Sequence, residues 1–231
     1  MKAFVLAEPG KVKWFDAPEP QLVPYGAILK PVAVTPCSSD VHTVFGGGSK
    51  KQDNLVLGHE CIAEVVSVGE NVCDFKTGDR VAVPAITPDW REKSIQEGND
   101  RHASAPFSGH QLGRTQPGVF SERFLIKDAD TTLAHIPQKI SEEQALMSVD
   151  VVTTGFTGAE YADIKIGDTV CVIGIGPIGL MAVAGAKLRG AARIIAVGTR
   201  PKCVQLAKYY GATDVLSYKE GDIVQLSLIH I

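Results

Sequence analysis

The sequence predicts two units of different class: a mostly-β domain over residues 1–150, then a doubly wound parallel α/β unit over residues 151–225. Three observations predict it. Residues up to 150 are rich in valine, glycine and proline, with short apolar segments separated by turn residues. From Ser141 the pattern lengthens into helical stretches. Thr169-Val-Cys-Val-Ile-Gly-Ile-Gly-Pro-Ile-Gly179 then reads as strand, glycine turn and helix, and a second strand and helix follow. That is the start of a βαβαβ unit.

In the first unit, Met1 to Leu6, Ala27 to Val34, Cys61 to Val68, Asp79 to Pro84 and Ser121 to Ile126 are expected strands, and Gly69, Gly78 and Gly118 supply turns. Residues 86–117 are polar and rich in glycine, serine and histidine, and are expected to form a long irregular loop. Ser141 and Gln144 have the spacing of a capping box. They open a helical region over residues 142–162, expected to break near Thr153 to Gly155. The apolar run Thr169 to Ile173 is expected to be a buried strand, with a helix from Leu180 to Leu188. A strand at Arg193 to Val197, a helix at Lys202 to Tyr209 and a third strand at Asp214 to Ser217 complete the countable elements. A full sheet of this kind has about six strands in the order 3-2-1-4-5-6. With three in view, the chain is expected to be C-terminally truncated, with the sheet's first strand unpaired along one edge. Residues 226–231 are expected to be a non-native tail.

A composition of 45% hydrophobic and 21% charged residues is that of an ordinary soluble protein, and a net charge of -3 gives no reason to expect nucleic acid or a membrane surface as a partner. No stretch approaches the ~20 apolar residues of a membrane span, and the apolar run in MKAFVLAEPG is too short for a signal peptide. Five cysteines without a C-x-x-C pair argue against a disulfide framework and a four-cysteine zinc site. The expected compartment is the reducing cytoplasm.

The glycine turn points to a dinucleotide. Gly174 allows the tight turn, Gly176 lets backbone approach a pyrophosphate, and Gly179 lets the helix pack on the strand; Ile175, Pro177 and Ile178 complete the cradle at the helix N-terminus. The second strand ends Val197-Gly-Thr-Arg200, without the carboxylate that holds the ribose hydroxyls of NAD. Gly198 leaves room for an extra phosphate, Thr199 offers a hydroxyl, and Arg200 a guanidinium fork suited to phosphate. The expected cofactor is NADP.

Cys37 follows one strand and His59 precedes another, both at expected strand-to-loop junctions. A thiolate and a neutral imidazole suit zinc, and a catalytic zinc has three protein ligands and an open position. Asp150, where the two units meet, is the candidate for the third. Taken singly, each has a plainer reading: a small buried cysteine, a hydrogen-bonded core histidine, a helix charge.

In combination they carry a resemblance. Gly58-His-Glu60 with Gly69 and Gly78-Asp-Arg80 resembles the signature of the zinc-containing medium-chain alcohol dehydrogenases. Ile86-Thr-Pro-Asp-Trp90, Val152-Thr-Thr-Gly-Phe156, Gly158-Ala-Glu160 and Gly167 to Gly179 resemble the tetrameric NADP-dependent secondary alcohol dehydrogenases of anaerobic bacteria and protists. The resemblance runs from residue 1 to about 225. It implies a GroES-like catalytic domain followed by a partial Rossmann domain. It implies one catalytic zinc on Cys37, His59 and Asp150, with Glu60 able to enter the metal shell, and no structural zinc. Ser39 matches the hydroxyl that takes the alcohol proton, His42 lies near the outward proton path, Thr154 matches a position near the nicotinamide, and Tyr218 one near the ribose phosphate. The implied reaction is hydride exchange between a small alcohol and NADP. A homotetramer is implied for a full-length parent, and this chain is expected to turn over little or nothing. Two alternatives stand beside it: a zinc-free quinone oxidoreductase on the same scaffold, and an inactive fragment or binding remnant. Ala63 stands where the signature has glycine, which implies a tighter turn. Residues 98–116 diverge, and His110 replaces a tryptophan of the substrate pocket. His102 and His135 are expected at surface or loop positions.

Overall fold

The structure is a computed structural model that describes residues 1–46, 54–98 and 109–222. The expected tail at 226–231, and His102 with the rest of residues 99–108, lie outside the described residues. The chain forms two compact units, Met1–Val149 and Asp150–Ile231.

The first unit runs β1 (Lys2–Glu8), β2 (Lys11–Asp16), β3 (Ala27–Thr35), α1 (Ser38–Phe45), β4 (Leu55–Val56), β5 (Glu60–Val68), β6 (Arg80–Val83), α2 (Lys93–Gln96), β7 (Phe124–Ile126), α3 (Ala129–Thr132), β8 (Ala134–His135) and α4 (Glu142–Ser148). Its strands form two antiparallel sheets, in the orders β7-β3-β5-β6-β8 and β2-β1-β4. The larger sheet is built on the period of two that strands impose on their side chains. Ala27 and Leu29 of β3, Cys61, Ala63 and Val65 of β5, Val81 and Val83 of β6, and Phe124 and Ile126 of β7 share one buried cluster. Each fully buried Val, Leu, Ile or Phe there contributes roughly 1.5–3 kcal/mol. The opposite face of β5 packs Ile62 against Ala145 and Val149. That contact fastens α4 and the end of the unit to the sheet.

All five expected strands are present, the last shortened to Phe124–Ile126. Strands β2, β4 and β8 and helices α1, α2 and α3 lie outside those expectations, α2 within the stretch expected to be an irregular loop. β2 has a mostly exposed sequence, with Trp14 69% accessible, so it carries no buried alternation to read. α1 follows β3 after two residues and has few strong helix formers. Ala63 does not tighten a turn. It is fully buried in the middle of β5 opposite Pro31, beside a register shift between Pro31 and Ala33. A small side chain suits that close strand pairing.

The second unit runs α5 (Val151–Tyr161), β9 (Thr169–Ile173), α6 (Pro177–Leu188), β10 (Arg193–Val197), α7 (Pro201–Tyr210) and β11 (Asp214–Leu216). Its three strands are parallel in the order β11-β10-β9, which is the 3-2-1 half of the expected arrangement. β10 is central, with Ile194 to Val197 all buried. β9 corrects the expectation of a buried strand. Val170 and Val172 pack toward the helix cluster, but Thr169, Cys171 and Ile173 face outward and Ile173 is 79% accessible. It is one of the two edge strands among the described residues, and one of its faces is uncovered.

The helical break also moves. The capping box forms, with Ser141 Oγ accepting from the Gln144 amide at 3.3 Å. The chain then leaves the helical conformation at Asp150 (φ -143°, ψ -60°), and α5 continues unbroken through Thr153 to Gly155. Gly155 sits inside the helix because α6 approaches it closely: a Cβ there would lie 2.5 Å from Cβ of Met181.

Candidate metal and nucleotide sites

The register of β3 on β5 sets the metal cluster. Thr35 lies opposite Glu60, so Cys37, two residues beyond the end of β3, and His59, just before β5, leave the sheet at the same end. β6 brings its C-terminal end there as well, since Val83 pairs with Cys61. The Ala85 amide then donates to the Val149 carbonyl at 3.1 Å. Asp150 is the next residue, so the anchoring of Val149 places it. Cys37, His59, Glu60 and Asp150 each offer one ligand atom, and these atoms lie within 4.8 Å of one another.

His59 and Glu60 are each 2% accessible. Nδ1 of His59 faces Oδ1 of Asp40 at 3.5 Å, and its Nε2 lies 3.8 Å from Glu60 Oε1 and 3.4 Å from Ser39 Oγ. A carboxylate opposite Nδ1 keeps the proton there and turns the Nε2 lone pair toward the cluster. Cys37 is the N-cap residue of α1, a strand-to-helix junction instead of the expected strand-to-loop one. A hydrogen bond with His59 is the main cause that lowers its thiol pKa to about 7, against the opposing effect of burial. A sulfur that ionises this readily, an imidazole nitrogen and two carboxylates form a donor set that fits zinc.

Asp40 escaped the sequence reading. It is 8% accessible; its Oδ2 accepts from the Cys37 amide at 2.9 Å and its Oδ1 from the Gly58 amide at 3.2 Å. The only local signal was a carboxylate at the third position of α1. His110 packs edge-on to His59, with ring centroids 4.6 Å apart, so it borders the cluster. His42 has an exposed side chain on α1. His135 is at an exposed position in β8, stacked on Phe75.

In the second unit the glycine turn forms as its spacing predicts. Gly174 has φ +91°, and a Cβ on Gly179 would lie 1.8 Å from the Gly174 carbonyl oxygen. Gly174, Ile175, Gly176, Gly198, Thr199, Arg200 and Tyr218 line one hollow of about 280 Å³. Thr199 Oγ1 donates to Tyr218 Oη at 3.1 Å. Arg200 is exposed beside Gly176, with Nη2 3.6 Å from where a Cβ would stand. Gly198 has a second use: a Cβ there would lie 2.2 Å from Cγ1 of Ile175, whose side chain is buried beneath it. Pro177, Ile178 and Gly179 form the first turn of α6. Thr154 lies apart from this hollow, on α5, and donates from Oγ1 to Asp150 Oδ1 at 2.5 Å.

Residues 24–138 match the family model of the alcohol dehydrogenase GroES-like domain, and residues 177–227 that of the zinc-binding dehydrogenases. The chain belongs to the zinc-binding medium-chain alcohol dehydrogenases. It is 56% identical to the NADP-dependent isopropanol dehydrogenase of Thermoanaerobacter brockii over 96% of its own length and 63% of that protein's. It is 51% identical to the enzyme of the same name from Clostridium beijerinckii, over 97% and 64%. Among solved structures it resembles alcohol dehydrogenase TADH from Thermus sp. ATN1, with a TM-score of 0.85 at 26% identity over 98% of this chain and 66% of that one. The chain thus spans just under two thirds of the length of these relatives. The first unit is a GroES-like domain and the second has the Rossmann arrangement of this family. No helix among the described residues is long and apolar enough to cross a membrane.

Proposed function

We propose that the protein is a zinc-dependent oxidoreductase that exchanges a hydride between a small secondary alcohol and NADP, interconverting alcohol and ketone. The observation that carries this is the convergence of Cys37, His59, Glu60 and Asp150 within 4.8 Å in a chain that also holds a nucleotide turn. Zinc would supply Lewis acidity toward the alcohol oxygen or ketone carbonyl, and NADP would accept or give the hydride. Cys37, His59 and Asp150 would hold the ion, and Glu60 stands close enough to enter its shell. The cluster's bond to Asp40 keeps His59 in the tautomer that presents Nε2. Ser39 Oγ lies beside His59 and takes up the alcohol's proton, with His42 further out on α1 to pass it on. Thr154 would lie toward the cofactor's nicotinamide end.

The preference for NADP rests on Gly198, Thr199, Arg200 and Tyr218. They offer hydroxyls and a guanidinium to a 2′-phosphate and no carboxylate to repel it. The names of the relatives at 56% and 51% identity support both the cofactor and isopropanol as the type of substrate. We read residues 1–150 as the catalytic unit and 151–225 as the nucleotide unit, in an assembly of four chains. Metal analysis and cofactor titration test the proposal. One zinc per chain, lost on chelation, and NADP bound about tenfold or more tightly than NAD are expected. A purified chain that takes up no zinc, or prefers NAD, contradicts it.

A further inference from the structure

The hydroxyl of Thr154 reaches back one turn of α5 to the residue that opens the helix. It donates to Oδ1 of Asp150 at 2.5 Å, while the Thr154 amide donates to the Asp150 carbonyl at 2.7 Å. Thr153 Oγ1 donates to the same carbonyl at 2.9 Å. Positions four apart on a helix are neighbours, so the contact follows from the spacing. The N-cap position makes it informative. An aspartate there ordinarily turns its carboxylate onto the amides of the first turn. Asp150 makes no such cap bond. Its carboxylate is taken by Thr154 and offers a ligand atom to the metal cluster. Thr is branched at Cβ and stiff at χ1, so the backbone of α5 fixes the direction of that hydroxyl.

We propose that Thr154 is a positioning residue for the metal centre: its hydroxyl holds the Asp150 carboxylate turned toward Cys37, His59 and Glu60 and away from the helix amides. The inference rests on the zinc-site reading above. Hydrogen-bond partners of metal ligands set ligand orientation, and losing one costs about 10–100-fold in metal affinity. Without the hydroxyl, the carboxylate is drawn to cap α5 and the ion loses part of its hold.

The test compares zinc affinity, by competition with a chromophoric chelator, and the visible spectrum of the Co²⁺-loaded chain. Thr154→Val has nearly the same shape at an exposed position and should leave folding intact by circular dichroism. It is expected to bind zinc about tenfold more weakly and to shift the cobalt ligand-field bands. Thr154→Ser, which keeps the hydroxyl, is expected to restore both. Wild-type affinity and an unchanged cobalt spectrum in Thr154→Val would overturn the proposal, as would a serine variant that behaves like valine. Should valine unfold the chain, Thr154→Ala is read by the same two outcomes. A wild-type chain that takes up no zinc removes the zinc-site reading itself, a result distinct from a zinc-binding wild type with an indifferent Thr154.

Discussion

Oδ1 of Asp40 stands 3.5 Å from Nδ1 of His59, and Oδ2 of the same carboxylate accepts the Cys37 amide at 2.9 Å. One buried side chain therefore steadies the ring of one metal-ligand candidate and the backbone of another. Burial alone would raise the pKa of this carboxyl. The hydrogen bond with His59 and those from the Cys37 and Gly58 amides outweigh burial and hold it below its ordinary value of 3.8. A depressed carboxyl contributes stability that is complete above its unfolded value and is lost as pH falls through the folded one. The metal-free chain should therefore keep this contribution through neutral pH and lose it below pH 3.8. Asp40→Asn, which keeps an acceptor but removes the charge facing the imidazole, is expected to weaken zinc binding by about tenfold or more. Asp40→Ala leaves two amides without their acceptor and should cost ~3 kcal/mol in urea unfolding. Equal zinc affinity for the asparagine variant and wild type would show that His59 is held by something else.

Two cysteines at neighbouring ends of paired strands should differ in reactivity. The hydrogen bond with His59 brings the Cys37 thiol down to about 7, whereas burial pushes the Cys61 thiol up. In metal-free protein, alkylation of Cys37 should rise with pH and reach half its limiting rate near pH 7. Cys61 should stay unlabelled in the folded chain at pH 8, since its thiolate is scarce and it is fully buried. Peptide mapping by mass after iodoacetamide treatment reads each cysteine separately. Zinc should protect Cys37 and leave the labelling of exposed Cys73 unchanged. Zinc that fails to protect Cys37 would remove that residue from the ligand set.

What could be read from the chain was what its local pattern carries. β10 announces itself as a continuous apolar run buried on both faces, and β3 and β5 carry apolar segments bounded by turns. Gly174 and Gly179 announce themselves because a positive φ and a 1.8 Å approach leave no other choice. The exposure of β9 was hidden, because an apolar run does not say whether a second layer covers it. The break at Asp150 was hidden as well. Thr153 to Gly155 looks like the weaker helix, but α6 packs closely on Gly155 and the chain turns earlier. Cys37, His59 and Asp150 could be named as residue types that suit a metal. Their convergence depends on the Thr35–Glu60 register and on the Ala85–Val149 hydrogen bond, long-range pairings that no local window contains. Asp40 was missed for the same reason.

Two glycines within helices should respond oppositely to alanine. Gly158, in α5, has nothing within 4 Å of an added Cβ. Gly158→Ala should stabilise the second unit by about 0.5–1 kcal/mol through helix propensity. Gly179, in α6, has the Gly174 carbonyl oxygen 1.8 Å from that position. Gly179→Ala gains the same propensity but must push strand and helix apart, with a net loss of about 2 kcal/mol or more. It should also lose NADP binding, because the turn that cradles the phosphates moves. Urea midpoints of the two variants decide the matter. A stabilised Gly179→Ala would mean that the close approach relaxes at little cost.

Gly198 separates room for a phosphate from room for a side chain. Its added Cβ would lie 2.2 Å from Cγ1 of Ile175, which is 4% accessible and has little space to retreat. Gly198→Ala should therefore weaken NADP and NAD binding alike, since Ile175 belongs to the phosphate turn that both cofactors use. Gly198→Asp adds a carboxylate beside Thr199 and Arg200, where it repels a 2′-phosphate and can accept from ribose hydroxyls. Relative to alanine, aspartate should lose NADP affinity by a further tenfold or about 1.4 kcal/mol while recovering some NAD affinity. Fluorescence titration of all three proteins with both cofactors gives the comparison. The ratio of the two dissociation constants is the informative quantity, because the displacement of Ile175 cancels from it. A ratio unmoved between the alanine and aspartate variants would place the cofactor's ribose phosphate away from the end of β10.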